Sequence, residues 1–160
     1  MTQQRKIAII GAGLAGASAA LGFRKAGFAV TLYSDKPRQA LRDAVAATGT
    51  AIYFGQPSQD ADAHIIENLY GEDTLQDGFS VRAYNADNSP LLAFDTDYRH
   101  YRAQAVDVRQ RVDDRLGRFL ALGGDFRVQA VTPEALDAIA AAHELTLVAT
   151  GKQGLADLFA

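Results

Sequence analysis

The stretch that decides the fold is Lys6-Ile-Ala-Ile-Ile-Gly-Ala-Gly-Leu-Ala-Gly16. Its first five residues form a short run rich in β-branched side chains, which is typical of a strand buried on both faces of a parallel sheet. Residues 15–26 have helical composition, and Gly27 is placed to end that helix. A second apolar run at 28–33 predicts another strand. Together these features predict a strand–helix–strand unit of about 30 residues.

Three glycines of this stretch, Gly11, Gly13 and Gly16, form a GxGxxG pattern between a buried strand and a helix, the context in which it binds a dinucleotide. The first glycine permits a tight turn, the second lets a pyrophosphate approach the backbone, and the third lets the helix pack closely on the sheet. Free N–H groups at the helix start would then face the phosphates. The alternative is a glycine-rich turn that binds nothing. The candidate contacts are Gly11, Ala12, Gly13, Leu14, Ala15 and Gly16.

The end of the second predicted strand is the expected place for an acid that holds the ribose hydroxyls. Ser34 occupies the usual position, and Asp35 follows it. Either Asp35 reaches the ribose or Ser34 makes a weaker neutral hydrogen bond to it. The alternative is that Asp35 serves only as a turn residue before Lys36. Lys36 and Arg38 leave open a phosphate on the ribose, as in NADP, although they do not form an obvious basic pair.

The remaining sequence alternates helical and strand patterns, which predicts an α/β fold with a parallel sheet and a small β-hairpin. The longest later helix is predicted from apolar positions at helical spacing, namely Val108, Val112, Leu116, Phe119 and Leu120. Thr132 and Pro133 predict the start of another helix. The predicted strands are 50–54, 79–84, 91–95, 125–131 and 145–149, and the predicted helices are 40–48, 61–69, 106–122 and 132–143.

Composition and charge exclude several classes of function. The chain has 160 residues, a net charge of −3 and no cysteine. This charge gives no reason to expect nucleic acid or an anionic membrane as partner, and no stretch is long and apolar enough to cross a membrane. The absence of cysteine excludes disulfides and predicts a cytoplasmic location. The histidines are far apart in sequence, so no metal site is expected.

Several segments together resemble the FAD-binding component of styrene and indole monooxygenases, two-component flavoproteins similar in fold to the p-hydroxybenzoate hydroxylase class. The segments are 6–16, Val30-Thr-Leu-Tyr-Ser-Asp35, Leu41-Arg42, Ala105-Val-Asp-Val-Arg109 and Leu147-Val-Ala-Thr-Gly-Lys152. The resemblance implies a Rossmann-like FAD-binding domain. It also implies that an NADH-dependent flavin reductase supplies reduced FAD, and that one oxygen atom is transferred to an alkene or a small aromatic substrate.

Carried onto this chain, the resemblance implies further cofactor contacts. Arg42 would lie beside the pyrophosphate or the flavin, and Asp107 with Arg109 would help to place the cofactor. Thr150 and Gly151 would form a turn near the adenosine. No catalytic residue is identified, and a homodimer remains open.

The chain departs from the family in two respects. Residues 43–49 lack the asparagine and histidine that family members carry near the flavin, which leaves the substrate undecided. Members are also longer chains, so residues 1–160 are expected to be one FAD-binding domain truncated before a substrate-binding domain. A domain truncated in this way would be expected to be inactive on its own. The alternatives are an NAD(P)-dependent oxidoreductase and a non-catalytic Rossmann-like module.

Overall fold

The computed structural model describes residues 4–43, 50–53, 56–67, 69–98, 102–151 and 155. The chain divides into two compact units, residues 1–48 with 108–160 and residues 49–107. The strands are β1 (Lys6–Ile10), β2 (Ala29–Ser34), β3 (Thr50–Tyr53), β4 (Leu75–Gln76), β5 (Gly78–Tyr84), β6 (Pro90–Asp97), β7 (Ala103–Asp107), β8 (Asp125–Val128) and β9 (Leu145–Val148). The helices are α1 (Leu14–Lys25), α2 (Arg38–Asp43), α3 (Gln56–Ile65), α4 (Val108–Ala121) and α5 (Pro133–Ala141).

The first unit is built on a four-stranded parallel sheet with the order β8-β2-β1-β9. Strand β1 lies inside the sheet, and Ile9 is opposite Leu32 of β2 on one side and Leu147 of β9 on the other. Ile9 and Leu32 are both fully buried, as expected for strands covered on both faces. The predicted α/β fold with a parallel sheet is confirmed.

Successive residues of β1 point to opposite faces of the sheet, and each face has its own packing. Ala8 and Ile10 lie in a cluster with Tyr33 of β2 and Ile139 of α5. Ile7 and Ile9 therefore face the other side, and they too are almost completely buried. Helix α1 packs against β1 and β2, while α5 packs against β9.

The predicted ends of α1 are confirmed to within one residue. The helix ends where Gly27 adopts a φ of +90°, a conformation that favours glycine. Arg24 in its last turn donates from Nε to the carbonyl oxygen of Leu122 at 2.8 Å and from Nη1 to that of Phe28 at 2.9 Å. The bond to Leu122 joins the end of α1 to the segment that follows α4.

Helix α4 begins two residues later than the prediction of 106–122. Val106 and Asp107 belong to β7 instead, which pairs on one side with β3 and on the other with β4. The prediction was wrong here because strand pairing with distant segments outweighs a local helical pattern. The buried face of α4 also includes Arg111 and Arg115, both at 0% exposure, whereas Leu120 is 39% exposed.

Arg115 contributes directly to the packing of α4 on α1. Its Nε donates to the hydroxyl of Ser18 at 2.8 Å, and its Nη1 donates to the carbonyl oxygen of Arg111 at 3.0 Å. A buried guanidinium needs such acceptors, because desolvation of an unsatisfied polar group is costly. This pair of helices is therefore held by polar as well as apolar contacts.

The start of α5 agrees with its sequence signal. The hydroxyl of Thr132 accepts a hydrogen bond from the N–H of Ala135 at 3.3 Å, and Pro133 is the first helical residue. The other short helices differ from their predictions. Helix α2 covers Arg38–Asp43 rather than 40–48, of which 44–48 lie outside the described residues, and α3 covers Gln56–Ile65 rather than 61–69.

The second unit contains two antiparallel sheets, β3-β7-β4 and the hairpin β5-β6. The hairpin confirms the prediction for 79–84 with 91–95, and its turn contains Asn88 with a φ of 64°. The rings of Phe79 and Phe94 meet edge to face at 6.1 Å between centroids. Strands β4 and β7 were not predicted. Across the described residues, no helix has the length and apolar character needed to cross a membrane.

Candidate functional site

A cavity of about 500 Å³ lies at the carboxyl ends of the parallel strands, within the range of small-molecule sites. Turns that follow four strands of the sheet meet there, because parallel strands end at the same edge. The lining residues are 10–15 at the end of β1 and beyond it, 33–36 at the end of β2 and beyond it, 129–131 after β8 and 149–151 after β9, together with Leu41 of α2. The segments flanking all four strands of the sheet therefore form one concave site.

Gly11 makes the tight turn that leads out of β1. Its φ is +108°, and a Cβ atom at this position would lie 2.5 Å from the carbonyl oxygen of Ala149. Its N–H donates to the carbonyl oxygen of Tyr33 at 2.9 Å. Both the backbone conformation and the space therefore exclude any other residue here, and this amide is already used within the sheet.

Gly13 and Gly16 differ in what surrounds them. A Cβ at Gly16 would lie 1.8 Å from the carbonyl oxygen of Gly11, so the start of α1 packs directly against the turn. A Cβ at Gly13 would meet nothing within 4 Å. The φ of Gly13 is −72° and its ψ is −175°, which any residue adopts. Neither the fold nor its packing therefore requires glycine at position 13, and a side chain there would enter open space.

The first turn of α1 offers hydrogen-bond donors to this opening. The first backbone bond of the helix runs from the N–H of Ala17 to the carbonyl oxygen of Gly13 at 2.8 Å. The N–H groups of Leu14, Ala15 and Gly16 precede it and have no intrahelical acceptor. Gly13 supplies no side-chain cap, and no acidic residue lies in the first turn. The helix dipole and these amides therefore suit an anionic group.

At the end of β2, the two candidate residues for binding the ribose differ in their exposure and in their hydrogen bonds. Ser34 is 3% exposed, and its hydroxyl donates to the carbonyl oxygen of Lys36 at 2.7 Å and accepts from the N–H of the same residue at 3.2 Å. Asp35 is exposed and its carboxylate lies 2.6 Å from Nζ of Lys36. Both residues line the cavity, but the hydroxyl of Ser34 is held in its own turn, whereas Asp35 faces solvent.

Arg42 is not among the residues that line the cavity, although its neighbour Leu41 is. It lies on α2, and its Nη1 is 3.1 Å from Oδ2 of Asp113 on α4. Oδ1 of the same carboxylate is 2.6 Å from Nε of Arg38. The hydrogen bond to Asp113 is the main reason that the pKa of Arg38 is raised above its ordinary value. One carboxylate thus binds two arginines of α2.

The remaining sequence-predicted residues fall into two groups. Thr150 and Gly151 line the cavity, and Gly151 has a φ of +68° that favours glycine in this turn. Arg109 is the second residue of α4 and Asp107 is the last residue of β7, and neither is among the lining residues. Lys152 lies outside the described residues.

Part of the cavity was not predicted from the sequence, namely Ile10, Tyr33, Leu41, Ala149 and residues 129–131. The N–H of Gln129 donates to the carbonyl oxygen of Ser34 at 2.6 Å, which joins the turn after β8 to the end of β2. A strand was predicted at 125–131, whereas β8 ends at Val128, and its position beside β2 was not predicted. Knowledge of the strand order would have placed its carboxyl end at the site.

A second cavity, of about 420 Å³, lies at the opposite, amino end of β1 and β2. It is lined in part by Lys6, Arg24, Thr31, Arg127 and His143. None of the sequence-predicted site residues is among its lining residues, so the two cavities can be distinguished by the residues that a ligand perturbs.

The fold and the cavity at the carboxyl ends of the strands define a dinucleotide-binding domain of the α/β class. The family model described as "FAD binding domain" matches residues 6–148. The chain belongs to this family, and its cofactor is FAD. No curated protein matches the chain.

Three solved structures are similar to this chain in fold. CtdE in complex with FAD is 17% identical with a TM-score of 0.53, and the match covers 78% of this chain and 30% of CtdE. FqzB is 15% identical with a TM-score of 0.57, covering 77% of this chain and 28% of FqzB. The tetrameric form of 2-methyl-3-hydroxypyridine-5-carboxylic acid oxygenase is 16% identical with a TM-score of 0.51, covering 78% and 31%. The chain therefore spans less than a third of the length of these proteins.

Proposed function

We propose that this chain is the cofactor-binding part of an FAD-dependent monooxygenase, with the diphosphate of FAD against the turn between β1 and α1. The observation that carries the proposal is the contrast among the three glycines: two are required by packing, whereas a side chain at Gly13 would enter open space beside the first turn of α1. A requirement for a ligand explains a glycine there, because the fold itself does not require one.

The chain's own residues would hold the adenosine diphosphate half of the cofactor. The N–H groups of Leu14 and Ala15 would donate to the phosphate oxygens, and the dipole of α1 would add to this attraction. The carboxylate of Asp35 would accept hydrogen bonds from the ribose, because it is exposed at the cavity whereas the hydroxyl of Ser34 is used in a turn. Thr150 and Gly151 would close the adenosine end.

When bound and reduced, FAD would supply the electrons that activate molecular oxygen, so that one oxygen atom can be transferred to the substrate. We propose a styrene- or indole-like substrate and a separate NADH-dependent reductase, on the basis of the strand end Val30–Asp35, the Ala105–Arg109 segment and the Thr150–Lys152 turn. A serine at the usual position of the ribose acid is compatible with a cofactor that moves between two proteins.

The test is an anaerobic titration of the purified chain with oxidised FAD, with dithionite-reduced FAD and with NADPH. We expect both forms of FAD to bind, with the reduced form bound more tightly. We expect the fluorescence of NADPH to be unchanged when it is mixed with the chain. Binding of NADPH without binding of FAD would contradict the cofactor assignment. Nanomolar binding of oxidised FAD would instead contradict only the exchange of cofactor with a reductase.

A further inference from the structure

We propose that Asp113 is a positioning residue for the cofactor cavity, because its carboxylate fixes α2 against α4 and thereby fixes the wall that α2 supplies. This inference rests on the proposed function, since it assumes that FAD occupies the cavity. The carboxylate lies 2.6 Å from Nε of Arg38 and 3.1 Å from Nη1 of Arg42, and it binds each arginine through a different oxygen.

Helix α2 needs an attachment of this kind. It has six residues and none of them is buried. Isolated helices of this length are not stable in water, so tertiary contacts must hold it. Arg38 and Arg42 are four residues apart and therefore lie on the same face of the helix. Both reach one carboxylate on α4, and α2 packs against α4.

The burial of Asp113 makes this contact stronger than an ordinary surface ion pair. Its side chain is only 12% exposed, whereas those of Arg38 and Arg42 are 40% and 61% exposed. Solvent therefore screens the carboxylate less than it screens the arginines, and removal of the carboxylate would leave both guanidinium groups without this partner on α4. The guanidinium of Arg38 also lies close to Gly117, where a Cβ would be 2.9 Å from its Nη2.

The connection to the cavity is short. Leu41 lies between the two arginines in sequence and lines the cavity, and α2 begins two residues after Lys36, which also lines it. A change in the position of α2 would therefore move both a wall residue and the turn that carries Asp35. Arg42, expected from the sequence to lie beside the cofactor, is oriented by the same carboxylate.

The experiment combines FAD affinity with a direct measurement of α2. Because the chain has no cysteine, Gln39→Cys places a single nitroxide spin label on the exposed face of α2. We expect Asp113→Ala to weaken FAD binding by about tenfold, a value between those for exposed and buried ion pairs. We also expect it to increase the mobility of the label in the absence of FAD, and Asp113→Glu to restore most of both properties.

Two controls separate positioning from other effects. Asp114→Asn removes one negative charge from the residue next to Asp113. The carboxylate of Asp114 acts on Arg38 through its charge and not through a hydrogen bond. This variant should change FAD affinity by less than about twofold. In an Arg38→Gln/Arg42→Gln background, Asp113→Ala should have no further effect on affinity or label mobility, because the contact is already absent.

Three results would overturn the proposal: unchanged FAD affinity in folded Asp113→Ala, an immobile label in that variant, or equal losses for Asp113→Ala and Asp114→Asn. If Asp113→Ala does not fold, Asp113→Asn keeps the shape and one strong acceptor and is expected to show a smaller loss in the same direction. If the unmodified chain does not bind FAD, the proposed function fails, whereas the spin label still decides whether Asp113 holds α2.

Discussion

Substitution of Gly13 by valine tests the ligand site separately from the fold. The backbone at this position, with φ of −72° and ψ of −175°, is in the β region that valine favours, and its Cβ would meet nothing within 4 Å. The cost to the folded state is therefore the difference between glycine and an aliphatic residue at a helix N-cap, about 1 kcal/mol or less. For a chain of this size, that lowers Tm by about 2–4 °C.

The expected loss of FAD binding is much larger. The valine methyl groups would occupy the space through which phosphate oxygens reach the first amides of α1. The loss of two charge-assisted hydrogen bonds, at about 1.5–3 kcal/mol each, amounts to about 3–6 kcal/mol. This weakens binding by at least about 100-fold, since each 1.4 kcal/mol corresponds to a factor of ten in Kd.

The assay is a titration of flavin fluorescence, with circular dichroism to establish that each variant is folded. Gly22→Val is the matched control, because Gly22 lies in the same helix and a Cβ there also meets nothing within 4 Å. Its FAD affinity should equal that of the unmodified chain, and its stability should be equal or slightly higher because valine favours helices more than glycine does. A folded Gly13→Val variant that binds FAD as well as the unmodified chain would refute the reasoning.

Three further predictions concern the fold and the ribose. Gly16→Ala should lower the free energy of unfolding by roughly 2–4 kcal/mol in a denaturant titration, because its Cβ would lie 1.8 Å from the carbonyl oxygen of Gly11; an unchanged midpoint would contradict this packing. Thr132→Ala should cost about 1 kcal/mol by removing the bond to the N–H of Ala135, and Thr132→Ser should retain most of the stability. Asp35→Asn should weaken FAD binding by about 1–2 kcal/mol, or roughly 5–30-fold, and should leave thermal stability unchanged; equal affinity would remove Asp35 from the ribose site.

The sequence predicted the first unit well where the signals are local. The strand–helix–strand unit follows from local sequence alone. Its parts are the apolar run from Ile7 to Ile10, the three glycines of the turn, and the apolar run from Ala29 to Tyr33. Thr132 likewise marks a helix start through its own hydrogen bond. In these places no long-range contact was needed to reach the correct structure.

The prediction failed where distant contacts decide the structure. Val106 reads as part of a helix but is a strand residue, because β3 and β4 pair with β7 from both sides. The burial of Arg111 and Arg115 on α4 was not predicted, because charged side chains are rarely fully buried and no local pattern marks these two. The pairing of α2 with Asp113 could not be predicted either, since it joins residues more than 70 positions apart.

The candidate site, like the fold, was predictable only where a local sequence pattern specifies it. The turn after β1 and the end of β2 follow from a local pattern, and both line the cavity. Residues 129–131 were missed because their place depends on the order β8-β2-β1-β9, which no local pattern records. The cofactor class was therefore accessible from the sequence, whereas the complete cavity required the fold.

The most direct test of the central claim is a two-dimensional ¹⁵N–¹H NMR spectrum of the chain during titration with FAD and, in parallel, with ADP. We expect both ligands to shift the amide resonances of Leu14, Ala15 and Gly16 most strongly, because these N–H groups would bond to the phosphates that the two ligands share. Unmoved resonances at these positions, with shifts concentrated instead at Lys6, Thr31 and the other residues at the amino ends of the strands, would contradict the account.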